Sequence, residues 1–175
     1  MPTVPRRRNS RSGHLVVCGD ESLAFRIIEE LAVRYGEDVT VILPSKERNH
    51  GPKIASLQNV RVIERPTLTD ETFREARLGA ARALALLQQD DVGNFHAALR
   101  AQELNPELRL VLHIFNTRLG ARVSSFFRDC AVLSESNVAA PSFVAAALGE
   151  PAPSHVRLSG RTLYAVRRAE ADPSG

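Results

Sequence analysis

The chain has no tryptophan, one methionine, two cysteines and only 5% aromatic residues among its 175. So few aromatic rings leave little on which nucleobases could stack, which argues against a base-stacking nucleic-acid surface. Cys18 and Cys130 sit at the edges of apolar runs and read as buried thiols of a reducing compartment, not as a disulfide staple or a metal site. Long apolar runs are missing too. No stretch reaches the ~18 to 20 uncharged residues of a membrane span, and the longest candidate, 136–149, is interrupted by Pro141. No isolated apolar core follows the early arginines, so a secretory signal is not expected. Lysine is confined to Lys46 and Lys53, and with abundant alanine this looks like a compositional habit that makes single arginines weak evidence of function.

Positive charge is scarcer than the totals suggest. The net charge is +3, yet residues 1–13 hold Arg6, Arg7, Arg8 and Arg11 and no acid, so the remaining chain carries −1. Residues 1–13 read as a disordered basic leader before a near-neutral body. Such a leader could add salt-sensitive contact with nucleic acid or an anionic membrane, but no specific nucleic-acid partner is expected.

What the chain does have is 43% hydrophobic residues, ample for a core, arranged as short apolar runs alternating with helical patterns. Residues 14–18 form a compact β-branched run stopped by Gly19. Ser22 then suits a helix N-cap, with Leu23, Ile27, Ile28, Leu31 and Tyr35 at helical spacing and Gly36 as the stop. Further strands are predicted at 38–43, 59–63, 83–87, 108–115 and 131–133. Between them, the polar stretch 45–53 holds a short helix or none, with Gly51-Pro52 as a breaker. Helices are predicted from Thr69 or Asp70 through Ala76, from Asp91 to Asn105-Pro106, over 117–127, and from the Ser134-Glu135-Ser136 cap to Leu148.

Strands separated by such helices imply an α/β fold: a doubly wound, mostly parallel Rossmann-like sheet with helices on both faces, over residues 14–149. Residues 150–175 read as a proline-rich linker, a β-hairpin around Ser159-Gly160 that opens a further unit, and a polar tail.

In open α/β sheets ligands bind at the carboxyl ends of the strands, where strand order reverses. The complete dinucleotide fingerprint there is G-x-G-x-x-G. This chain offers Gly19-Asp20-Glu21-Ser22-Leu23-Ala24. Glu21 replaces the glycine that lets the backbone approach a pyrophosphate, and two carboxylates face the helix N-terminus that would hold one. The acid expected after the second strand for ribose is replaced by Leu43-Pro44-Ser45. Ser45, Lys46 and Arg48 could meet a ribose phosphate, or form a solvated loop. His14, His50, His96, His113 and His155 have no metal-ligand spacing, and His113 within a strand reads as a hydrogen-bonded core histidine. No catalytic constellation and no metal site emerge.

Several segments in order resemble the RCK domain (regulator of potassium conductance), the TrkA N-terminal type of Rossmann domain. They are Leu15-Val-Val-Cys-Gly19; Asp90-Asp91-Val-Gly-Asn94-Phe95; Arg100-Ala-Gln-Glu-Leu-Asn-Pro106; the strand ending at Asn116; and Val132-Leu-Ser-Glu-Ser136 through Phe143. The resemblance implies a cytoplasmic, non-enzymatic, ligand-sensing module. Its partners would be itself, as a dimer or ring, and the membrane subunit of a potassium channel or transporter, which would hold it at the inner face of the cell membrane. It places a cofactor site at Gly19, Asp20, Glu21, Ser22, Ala24, Ser45, Lys46, Asp91, Asn94 and Asn116, and suggests NAD(H) or an adenine nucleotide, against which Glu21 stands. The family often carries Gly-Asp-Ala-Thr after the third strand, where this chain has Glu64-Arg65-Pro66-Thr67. The competing reading is a fragment of an NAD(P)-binding oxidoreductase.

Overall fold

The computed structural model describes residues 13–149 in full, and the backbone of 154–158 and 161–165. The expected leader, linker and tail lie outside the described residues. The chain divides into two compact units, Met1–Ser134 and Glu135–Gly175.

In the first unit six strands form one sheet: β1 (Leu15–Cys18), β2 (Val39–Leu43), β3 (Val60–Glu64), β4 (Ala83–Leu86), β5 (Arg109–His113) and β6 (Cys130–Leu133). Their spatial order is 3-2-1-4-5-6, and every neighbouring pair is parallel. The order reverses between β1 and β4, which opens a crevice at the carboxyl ends of those strands. β1 and β2, near the middle of the sheet, are buried on both faces, which is why they do not read as alternating strands. Adjacent residues of β1 show the division: Val16 joins one buried cluster and Val17 the other.

The helices of this unit are α1 (Ser22–Glu29), α2 (Gly51–Ala55), α3 (Asp70–Glu75), α4 (Asp91–Leu104) and α5 (Thr117–Val123). Side chains of α1 and α2 pack with Val17, Val41 and Leu43, whereas α3, α4 and α5 pack with Val16, Ile42, Leu84 and Leu112. Ile28 and Ala24 of α1 are fully buried; covering an isoleucine contributes about 1.5–3 kcal/mol.

Four local expectations need correction. Glu21, not Ser22, occupies the N-cap of α1. The helix also loosens into a π turn over Glu30–Arg34, with Tyr35 N–H donating to the Glu30 carbonyl. The wider turn carries Tyr35 off the apolar face, leaving it 60% exposed. Gly51-Pro52 begins α2 instead of breaking the chain, because a proline in the first turn has no intrahelical N–H bond to lose. Finally, α5 closes at Val123 and the stretch to Phe126 is a 3-10 turn.

The second unit contains α6 (Glu135–Ala147) and an antiparallel pair, β7 (Ser154–Leu158) and β8 (Arg161–Ala165), where the sequence predicts a hairpin. No helix among the described residues is long and apolar enough to cross a membrane.

Candidate functional site

The loop that leaves β1 is shaped by one glycine. Gly19 is buried with φ +132°, and a Cβ there would stand 3.3 Å from the Leu87 carbonyl and 3.5 Å from the Ala24 Cβ. A side chain is therefore strained there by the backbone conformation and would also press on the end of the fourth strand. Ala24 is fully buried under the same contact.

The two acids that follow are held by the loop after β2. Asn49, itself at φ +47°, donates from Nδ2 to Asp20 Oδ2 at 3.1 Å and to Glu21 Oε1 at 3.2 Å. The backbone completes the link, since His50 N–H donates to the Asp20 carbonyl at 3.2 Å. His50 also stacks on Phe25 with ring centroids 5.1 Å apart, and Lys53 lies over the other reach of that ring at 5.7 Å. A side-chain amide thus sits between two carboxylates at the place where a diphosphate would need donors. Asparagine suits both tasks, tolerating the left-handed region and carrying two donors. Its position in a polar stretch before Gly51 was the only signal of it in the sequence.

Ser45 and Lys46 lie across the same edge. Ser45 Oγ accepts from Glu47 N–H at 3.2 Å, and Lys46 N–H donates to Glu64 Oε1 at 3.3 Å. The Lys46 side chain is exposed. Ser22 is the exposed first residue of α1.

The remaining predicted site residues gather at the ends of β4 and β5. Asp90 caps α4, accepting from Val92 N–H and Gly93 N–H. Asp91 reaches across to the loop after β5, its carboxylate accepting from Phe115 N–H at 2.8 Å and Asn116 N–H at 2.9 Å. Asn116 then caps α5 through Arg118 N–H and Leu119 N–H. Asn94 is fully buried and donates both amide hydrogens, to the Gln88 carbonyl at 2.8 Å and the His113 carbonyl at 2.9 Å. Asp91 and Asn94 together form a clamp that ties α4 to the ends of β4 and β5.

His113 departs from expectation. It is buried as predicted, against Phe115 with ring centroids 4.3 Å apart. Yet neither ring nitrogen meets a hydrogen-bond partner, and Asn94 Oδ1 is likewise unpartnered. The thiols are inert: burial pushes Cys18 far above the ordinary thiol range, and burial together with the Asp129 charge pushes Cys130 up to about 11. Among the described residues no cluster of His, Cys, Asp and Glu could hold a metal ion.

A parallel 3-2-1-4-5-6 sheet with a glycine turn at its switch point defines the class, a Rossmann-type domain. The chain belongs to the TrkA-N domain family, whose model matches residues 15–123. The fold is shared with the TrkA-N domain of the inner membrane protein YbaL from Escherichia coli (TM-score 0.66, 16% identity, 78% of this chain and 98% of that one). It is also shared with the NAD(P)-binding domain of an exopolyphosphatase-related protein from Archaeoglobus fulgidus (TM-score 0.64, 13% identity, 78% and 98%). A third match is the GsuK channel bound to NAD (TM-score 0.57, 14% identity), of which the chain covers 22% while 74% of its own length is aligned. No curated protein sequence matches the chain significantly.

Proposed function

We propose that this chain is a regulatory domain of a potassium channel or potassium transport system, cytoplasmic and non-enzymatic, that acts by self-assembly and carries a degenerate nucleotide site. The observation that carries the reading is the TrkA-N match over residues 15–123 on a fold shared with part of the GsuK channel. Control would work by linkage: whatever binds two arrangements of the assembly unequally shifts their balance, and a membrane partner at the inner face of the cell membrane follows.

Self-assembly is supported by apolar side chains left in the open. In the second unit Val138, Phe143, Val144 and Leu148 are all more than half exposed, Phe143 reaching 74%. In the first, edge strand β6 exposes Leu133, and Phe126 precedes it. Apolar surface of this kind marks association sites. A degenerate nucleotide site is supported by Glu21 at the second glycine position, by its pairing with Asp20 through Asn49, and by Pro44 and Ser45 where a ribose-binding acid would stand.

Light scattering on the full chain tests the assembly. A dimer or larger species is expected, reduced to monomer by Phe143→Asp; a strict monomer at high concentration overturns it. Calorimetric titration with NAD, NADH, NADPH, ATP and ADP tests the loop, with no saturable heat expected. Tight NADH or NADPH binding would overturn the degenerate nucleotide site.

A further inference from the structure

The opposite edge of the sheet holds a second cleft. It measures about 420 Å³ and opens among the amino-terminal ends of β1, β2 and β3 and the turn after α3. That volume falls within the roughly 300–1,000 Å³ of small-molecule sites. His14, Asp38, Thr40, Asn59, Arg61 and Arg77 line it.

The cleft gathers polar groups whose bonding capacity the protein leaves open. Thr40 is only 6% exposed, yet among the described residues its hydroxyl meets no hydrogen-bond partner. Arg61 stands in register with Thr40 on the neighbouring strand, so the two side chains share one face of the sheet. Arg77 enters from the far side at φ +53° and ψ +43°, a conformation disfavoured for any residue with a Cβ. Asn59, at φ +62°, is a second left-handed residue on the same rim. Neither arginine forms an ion pair among the described residues. His14 Nε2 lies 2.8 Å from the Ala76 carbonyl; that oxygen can only accept, so Nε2 carries the hydrogen and Nδ1 is an acceptor.

The inventory is directional. Two guanidinium groups, a hydroxyl and an amide can grip an anion, and planar guanidinium forks match phosphate oxygens in particular. The Asp38 carboxylate and His14 Nδ1 require donors beside that anion. We propose that this cleft binds a phosphate ester that also carries ammonium or hydroxyl donors, either a soluble metabolite or a lipid headgroup of the same chemistry. Arg61 and Arg77 hold the phosphate, Thr40 donates to it, and Asp38 receives the ammonium or hydroxyl. The site lies at the opposite ends of the strands from the glycine loop.

The test is amide-resolved NMR titration of the full chain with O-phosphoethanolamine, alongside inorganic phosphate. Saturable shifts are expected at Thr40, Arg61 and Arg77 and not at Gly19 or Asn94. Arg61→Gln with Arg77→Gln should weaken binding at least about tenfold, as loss of charge-assisted bonds implies. Neither arginine has an ion-pair partner among the described residues to strand, so the double variant keeps its fold, checked by its unchanged amide spectrum elsewhere. Asp38→Asn should weaken phosphoethanolamine while sparing inorganic phosphate. Vesicles of phosphatidylethanolamine in phosphatidylcholine separate the sources: displacement of phosphoethanolamine from the native chain identifies the headgroup, and its absence the soluble ester. No saturable response at millimolar ester, or an equal response from the double variant, overturns the proposal.

Discussion

Replacing Asn94 by alanine separates a clamp from a ligand contact. The side chain is 0% exposed and gives one hydrogen each to the carbonyls of Gln88 and His113, 2.8 and 2.9 Å away. Alanine leaves both oxygens without that donor, and each such loss in a buried place costs about 1–3 kcal/mol. Against this, the variant also discards Asn94 Oδ1, which is buried without a partner and whose removal returns about 1–2 kcal/mol. With central values of about 4 kcal/mol lost and about 1.5 kcal/mol returned, the expected net loss is about 2–3 kcal/mol, or a melting point about 4–12 °C lower for a chain of this size. Urea denaturation followed by circular dichroism should show the midpoint falling with an unchanged slope. Asn94→Asp sharpens the case, because it sets a carboxylate against two carbonyl oxygens. The introduced carboxyl would have its pKa raised in the folded state, so the folded protein binds the extra proton more readily. Stability then rises as the pH falls and the carboxyl regains a donor. An alanine variant within about 0.5 kcal/mol of the native chain, or an aspartate variant without pH dependence, would refute the clamp.

Other variants follow from the same geometry. Asn49→Gly keeps the left-handed backbone but removes both bonds to Asp20 and Glu21; a loss of about 1–2 kcal/mol is expected in denaturation, and a gain would contradict it. His113→Leu replaces a ring with two unpartnered nitrogens, so the melting point should rise by an amount corresponding to about 1 kcal/mol; a fall would show that the nitrogens are satisfied in solution. Arg77→Gly relieves a left-handed arginine and should stabilise the fold by about 0.5–1 kcal/mol while weakening phosphoethanolamine binding, though less than the double arginine variant does. Cys130, with its thiol near pH 11, should alkylate about a hundredfold more slowly at pH 8 than an ordinary thiol does, the rate climbing with pH toward that value. A rate already level at pH 8 would rule that out.

The sheet was legible because its central strands are largely covered on both faces, which makes 15–18, 41–43 and 83–87 uninterrupted apolar runs. Asp91, Asn94 and Asn116, which carried the family resemblance, fasten the loops at the ends of β4 and β5 in this chain. What those residues do was less visible. Asp91 binds amides 24 and 25 positions away, and no local pattern distinguishes such a bond from a ligand contact. Gly51-Pro52 suits a helix start as well as a break, so only packing of the fully buried Ile54 decides. Asn49 was missed outright, since its two partners lie 28 and 29 residues earlier. The unpartnered nitrogens of His113 follow from packing around β5, which its place in an apolar run does not foretell.

The distribution of bonding capacity carries a functional consequence. At the carboxyl edge, Asn49, Asp91, Asn94 and Asn116 direct their side chains to neighbouring loops of the same fold. A ligand entering there would have to displace internal bonds, and the energy of doing so would be subtracted from its affinity. At the amino edge the situation is reversed: among the described residues Thr40, Arg61 and Arg77 have no side-chain partner to give up. A disfavoured backbone at Arg77 costs stability that glycine would restore, and the guanidinium that it carries into the cleft is what glycine would lack. A sensing domain needs a ligand whose binding energy is available to shift an equilibrium between assembled states. By that criterion the amino-terminal cleft, and not the glycine loop, is the better placed of the two edges to receive the signal.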